Sequence, residues 1–147
     1  MKSKINRILV DILEEWMFNE KALVITGARQ VGKTTMLETL FSNEKVLWLN
    51  ADLSSVKSRL EDTDLSPLQL LLGNYKIVVI DEIQRVKNPG LLLKILVDHF
   101  KETQFIATGS SALDISEQIY EPLTGRHFLF HLYPFALKEL YHNKSVF

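Results

Sequence analysis

The sequence predicts a three-layer α/β domain built on a five-stranded parallel sheet. Three observations carry this. Five short apolar runs occur along the chain: Ala22 to Ile25, Val46 to Leu49, Ile77 to Ile80, Phe105 to Ala107 and Phe128 to Leu132. Four of them are continuous rather than alternating, as in strands buried on both faces of a sheet. Segments with helical signals lie between the runs, so strand and helix alternate, with connections long enough for right-handed crossovers.

In chain order, apolar residues at Ile5, Ile8, Leu9, Ile12, Leu13 and Trp16 have helical spacing and turn Asp11, Glu14 and Glu15 outward, which predicts an amphipathic helix. Ser66 and Pro67 read as the cap and first residue of another helix, with Gly73 as its stop. Gly90 to Phe100 carries Leu92, Leu93, Leu96 and Phe100 on one stripe and reads as a third. There is no internal repeat, low-complexity tract or linker-like stretch. The chain ends at Tyr141-His142-Asn143-Lys144-Ser145-Val146-Phe147 without a terminating signal, so residues 1–147 are expected to be one core domain from the N-terminal part of a longer protein.

The 147 residues, 46% apolar and 24% charged, have ordinary globular composition and can bury roughly two thirds of their unfolded surface without a disulfide or structural metal. The absence of cysteine excludes thiolate zinc sites and thiol catalysis and fits a cytoplasmic protein. A net charge of -1 gives no field that attracts nucleic acid, so any such role must be local. Met1-Lys2-Ser3-Lys4 could open a signal peptide, but Asp11, Glu14 and Glu15 interrupt the apolar stretch that follows. No run approaches bilayer length, and a soluble protein without a membrane partner is expected.

The first apolar run continues as Thr26-Gly27-Ala28-Arg29-Gln30-Val31-Gly32-Lys33-Thr34-Thr35, matching G-x-x-x-x-G-K-[ST] between a strand and a helical segment with Met36, Leu37, Leu40 and Phe41. Gly27 and Gly32 let the backbone turn tightly and present N–H groups inward, while the new helix aims its dipole at the same point. This is a cradle for a β-phosphate. Lys33 can bridge β- and γ-phosphate oxygens, and the Thr34 hydroxyl can ligate Mg²⁺. The bland reading, a glycine-rich turn beside a surface lysine, ignores the flanking elements.

Ile77 to Ile80 runs into Asp81-Glu82, the arrangement called Walker B. Asp81 would hold Mg²⁺ through its water shell, and Glu82 would take or orient the proton of a water attacking the γ-phosphate. The competing reading has Asp81 capping a following helix and Glu82 solvated. The run Phe105 to Ala107 leads into Thr108-Gly109-Ser110-Ser111, where Thr108 or Ser110 could contact the γ-phosphate; a turn capping a helix near Leu113 accounts for these residues equally well. Arg126, after Gly125, is the kind of arginine that phosphoryl transfer recruits, but a surface arginine after a glycine turn is as common, and Arg29 competes for the role. His127 and His131 sit on a strand without accompanying acids and read as packing or surface residues.

The ordered boxes Ile25 to Thr35, Ile80-Asp81-Glu82-Ile83-Gln84, Thr108-Gly109-Ser110-Ser111, Leu123-Thr124-Gly125-Arg126 and Leu132-Tyr133-Pro134-Phe135 with Glu139 resemble a family of bacterial and archaeal AAA-type P-loop ATPases, over nearly the whole chain. The resemblance implies a P-loop sheet ordered 5-1-4-3-2, ATP as nucleotide, and a continuation into a winged-helix segment and a nuclease-like domain. It also implies that Arg126 acts on nucleotide held by a neighbouring subunit, hence a homo-oligomer of the full-length protein. It leaves open whether a further partner is protein or nucleic acid.

The expected function is Mg²⁺-dependent ATP hydrolysis coupled to conformational change, with a nucleotide switch of negligible turnover as the alternative. A small-molecule kinase would need an acceptor pocket and usually an arginine-rich lid, which the sequence lacks. A GTPase would need Asn-Lys-x-Asp, whereas Asn143-Lys144 is followed by Ser145 and Val146.

Overall fold

The computed structural model describes residues 7–110, 122–135 and 139. Helix α1 (Ile8–Trp16) leads into β1 (Ala22–Thr26), and α2 (Lys33–Leu40) follows the loop after it. Next come β2 (Val46–Asn50), α3 (Ser54–Glu61), α4 (Leu65–Leu72) and β3 (Ile77–Asp81). A short 3₁₀ turn (Ile83–Arg85), α5 (Pro89–His99), β4 (Gln104–Gly109) and β5 (His127–His131) complete the order.

All four strand pairings are parallel, and the five strands lie in the order β2-β3-β4-β1-β5. Read from the other edge this is 5-1-4-3-2, as the resemblance implied. Successive side chains of a strand point to opposite faces, so each interior strand contributes to two cores. Val24, Val78, Ile80, Phe105 and Ala107 pack with Leu60 of α3, Leu68 and Leu72 of α4, and Leu92, Leu93 and Leu96 of α5. Leu23, Ile25, Val79 and Ile106 pack on the other face with Leu13 of α1 and Met36 and Leu37 of α2. Both faces are therefore covered, which explains why β1, β3 and β4 have continuous apolar sequences.

The continuous run at Val46 to Leu49 departs from that expectation. It forms an edge strand, and Trp48 is 39% exposed, because the helices cover the middle of the sheet more completely than its margins. The helix expected to begin with Ser66 as cap and Pro67 as first residue begins at Leu65, with Asp64 in the cap position. Pro67 is tolerated in that first turn because a helix's first N–H groups need no intrahelical partner. Gly73 ends the helix at φ +54°, as expected. Helix α5 starts one residue before Gly90, with Pro89 at its N-terminus. Helix α3 was not singled out from the sequence; Leu60 is its one buried residue, so its apolar stripe is thin.

The helix onset at Ile5, the capping role of Ser111 near Leu113 and the chain end at 141–147 lie outside the described residues. Among the described residues no helix is long and apolar enough to cross a membrane.

Candidate functional site

The end of β1 is tied to both neighbouring strands. The Gly27 N–H donates to the Gly109 carbonyl at 3.2 Å, and the Leu132 N–H donates to the Thr26 carbonyl at 2.7 Å. This crowding explains Gly27. A Cβ there would stand 2.6 Å from the Leu132 carbonyl oxygen and 3.1 Å from the Val31 side chain. Gly32 adopts φ +99°, and Gln30, although not glycine, adopts φ +61°; these left-handed residues fold the chain back on itself between β1 and α2. Since α2 starts at Lys33, its first N–H groups border the space the loop encloses.

Lys33 is 6% exposed, and its ammonium donates to the carbonyls of Gly27 at 2.8 Å and Ala28 at 3.0 Å. An ammonium has three donors, so one proton is left for an anion. Burial is the main influence on this lysine and lowers its pKa from the ordinary value; the charges of Glu82 and Asp81 oppose that shift, and Arg29 adds to it.

Asp81, the last residue of β3, joins the loop to the tip of β4. The Thr34 hydroxyl donates to its Oδ2 at 3.2 Å, and the Thr108 hydroxyl donates to its Oδ1. The Thr108 oxygen in turn accepts the Glu82 N–H at 3.4 Å. Glu82 itself is left-handed, at φ 56° and ψ 47°, an uncommon conformation for a residue with a side chain. From there its carboxylate Oε2 accepts the Gln84 amide, which also donates to the Ser110 hydroxyl at 3.0 Å. A cavity of about 540 Å³ opens here, lined by Arg29, Gln30, Gly32, Lys33, Thr34, Thr35, Asp52 and Glu82.

The fold thus brings together nearly every residue expected of the site. Gly27 to Thr35, Asp81, Glu82, Thr108 and Ser110 all gather at the carboxyl end of the sheet, where open α/β sheets bind ligands. Asp81 accepts from two hydroxyls across elements rather than capping a local helix. Arg126 is not brought there. It immediately precedes β5, and its carbonyl accepts the Ala22 N–H at the start of β1, so it stands at the opposite end of the sheet. Five strand residues separate that end from the loop, about 17 Å at the usual rise. Its guanidinium Nε donates to Asp98 Oδ1 at 2.7 Å, and this contact chiefly holds the Asp98 carboxyl below its ordinary pKa. His127 Nδ1 lies 2.9 Å from the Leu123 carbonyl, and His131 Nδ1 lies 3.0 Å from the Thr26 hydroxyl, which agrees with packing roles.

Three residues escaped sequence reasoning. Asp52, after β2, lines the cavity and pairs with Arg85 at 2.9 Å. Arg7 is buried; it donates to the Val31 carbonyl at 3.2 Å and to the Tyr133 carbonyl, pairs with Glu139 at 3.4 Å, and lies 4.2 Å from the centre of the Phe135 ring. It fastens the back of the loop to the Tyr133-Pro134-Phe135 segment. Neither carries a local signal, because each acts across long sequence separations. Gln84 did carry one: it stands two residues after Glu82 in the same box.

Comparison with known proteins agrees with this fold. A family model described as an AAA domain matches residues 19–141. An uncharacterized protein of Mycobacterium bovis is 30% identical over 105 residues, covering 71% of this chain and 23% of that protein. An uncharacterized protein of Haemophilus influenzae is 30% identical over 135 residues, covering 84% of this chain and 34% of its own length. The chain therefore spans about a quarter to a third of these relatives. Among solved structures, a Walker-type ATPase of Pyrococcus abyssi superposes with a TM-score of 0.65 at 19% identity, covering 94% of this chain and 56% of that one. A DNA replication initiation factor superposes with a TM-score of 0.59 at 15% identity, covering 84% and 44%. At these identities the likeness is one of fold.

Proposed function

The chain belongs to the AAA domain family, and from that premise we propose that it binds ATP with Mg²⁺ and hydrolyses it, as the ATPase core of a longer protein whose attached domains or partners respond to the nucleotide. The observation that carries the reading is Asp81, hydrogen-bonded at once to Thr34 of the loop and Thr108 of β4, with Glu82 beside it.

The Thr34 hydroxyl and Asp81 carboxylate, 3.2 Å apart, are hard oxygen donors that fit a small divalent cation completing its shell with phosphate oxygens and water. Thr34 would hold Mg²⁺ directly and Asp81 through water; when bound, the ion supplies positive charge against the β- and γ-phosphate oxygens.

The chain's own groups do the rest. Backbone N–H groups of the loop and of the start of α2 receive the β-phosphate, and Lys33 turns its ammonium to the β- and γ-oxygens. Glu82 orients a water and accepts its proton as the water oxygen bonds to the γ-phosphorus. The bond from that phosphorus to the bridging oxygen breaks, and ADP departs with the electron pair. Thr108 and Ser110, at the tip of β4, are suited to contact the γ-phosphate.

Phosphate release from Mg²⁺-ATP, with GTP as control, tests the proposal. Release that depends on Mg²⁺ and exceeds that from GTP is expected. Tight ATP binding without release would make the protein a nucleotide switch, and failure to bind ATP would overturn the reading altogether.

A further inference from the structure

We infer that Gln84 is a positioning residue: its side-chain amide holds the Glu82 carboxylate in place and ties it to Ser110 at the tip of β4. This rests on Glu82 acting as the base for ATP hydrolysis, as proposed above.

A general base must stand within hydrogen-bond reach of its water, and glutamate is a long side chain with several rotatable bonds. Here it leaves the backbone from a left-handed residue at the end of β3. The Gln84 amide has two N–H donors. It meets Glu82 Oε2 and, at 3.0 Å, the Ser110 Oγ. One carboxylate oxygen taken in this way leaves the other for the proton of a water. Ile83, fully buried in the core, pins the 3₁₀ turn from which Gln84 reaches out.

A second observation separates this role from simple packing. Among the described residues, the carbonyl oxygen of the same amide is buried and has no hydrogen-bond partner. Leaving such an atom unpaired is unfavourable, and an apolar side chain would avoid it. Turning the amide end for end would set that oxygen against the Glu82 carboxylate. The orientation therefore keeps the donor on Glu82 at the expense of its own acceptor. The link also continues to the loop: Ser110 follows Gly109, whose carbonyl accepts the Gly27 N–H at 3.2 Å. A shift of the β4 tip would thus reach Glu82 through one side chain.

The test is steady-state ATP hydrolysis with separate measurement of ATP affinity and thermal stability. Gln84→Met preserves size and removes both donors; kcat should fall about tenfold to a hundredfold, while the Kd for ATP and the Tm stay at wild-type values. Gln84→Glu, which replaces the donor by an acceptor facing the carboxylate, should fall at least as far. In a Glu82→Gln background, Gln84→Met should cause no further loss. Wild-type kcat in Gln84→Met, or an equal fractional loss in both backgrounds, would overturn the inference and leave the proposed ATPase standing. A wild-type protein without turnover would overturn both.

Discussion

Lys33 is the residue for which burial and the proposed role conflict most directly. Its side chain is enclosed, its pKa is lowered mainly by that burial, and two loop carbonyls share its protons. A phosphate facing it would supply the missing counter-charge. Lys33→Ala should therefore weaken Mg²⁺-ATP binding by about ten- to hundredfold, the loss of a charge-assisted contact of about 1.5 to 3 kcal/mol, without unfolding the protein. Isothermal titration measures this directly, and unchanged affinity would refute the phosphate-loop assignment. Glu82→Gln retains the shape of the site, so ATP should still bind while turnover drops by roughly a hundredfold or more. Equal phosphate release by the variant would move the base role elsewhere.

At the scale of elements, the site depends on how closely β1 is held between β4 and β5. Gly27→Ala would drive a methyl group into the Leu132 carbonyl, a backbone atom that cannot swing aside. Overpacking of this kind costs about 1 to 3 kcal/mol, so denaturant melts should show lowered stability together with loss of ATP binding. The pair between Arg126 and Asp98 joins the start of β5 to α5 and is partly exposed. Such pairs contribute about 0.2 to 1 kcal/mol and are screened by salt. Because Asp98 titrates below its ordinary range in the folded protein, its contribution is present above the unfolded carboxyl pKa and is lost as pH falls through the folded one. Melts of Asp98→Asn should trail the wild type slightly at neutral pH and converge with it in acid; a difference that persists in acid would mean the effect is not this pairing.

For the whole molecule, the sheet sets Arg126 at the end away from its own loop, so a role in catalysis requires nucleotide held by another subunit. An arginine acting across an interface can contribute about 10³ to 10⁵ in rate. If it does so here, full-length Arg126→Ala and Glu82→Gln should each be nearly inactive, and their mixture should recover activity. Folded, co-assembled variants that show no rescue would leave Arg126 as the partner of Asp98. The glycine-rich loop, the acidic pair and the strand pattern were legible in the sequence because each is local: glycine spacing, a strand followed by two acids, and runs of apolar residues have physical consequences within a few positions. The edge exposure of Trp48 was not legible, since it depends on which strand lies outermost. Nor was the role of Arg7, or the distance of Arg126 from the loop. Arg7 meets Tyr133 and Glu139 only because α1 and the segment after β5 converge behind the loop. The sequence by itself determined the fold class and which groups are candidates for the site. The tertiary structure alone decided which of them meet, because parallel strand order brings residues far apart in the chain to one end of the sheet and sends Arg126 to the other.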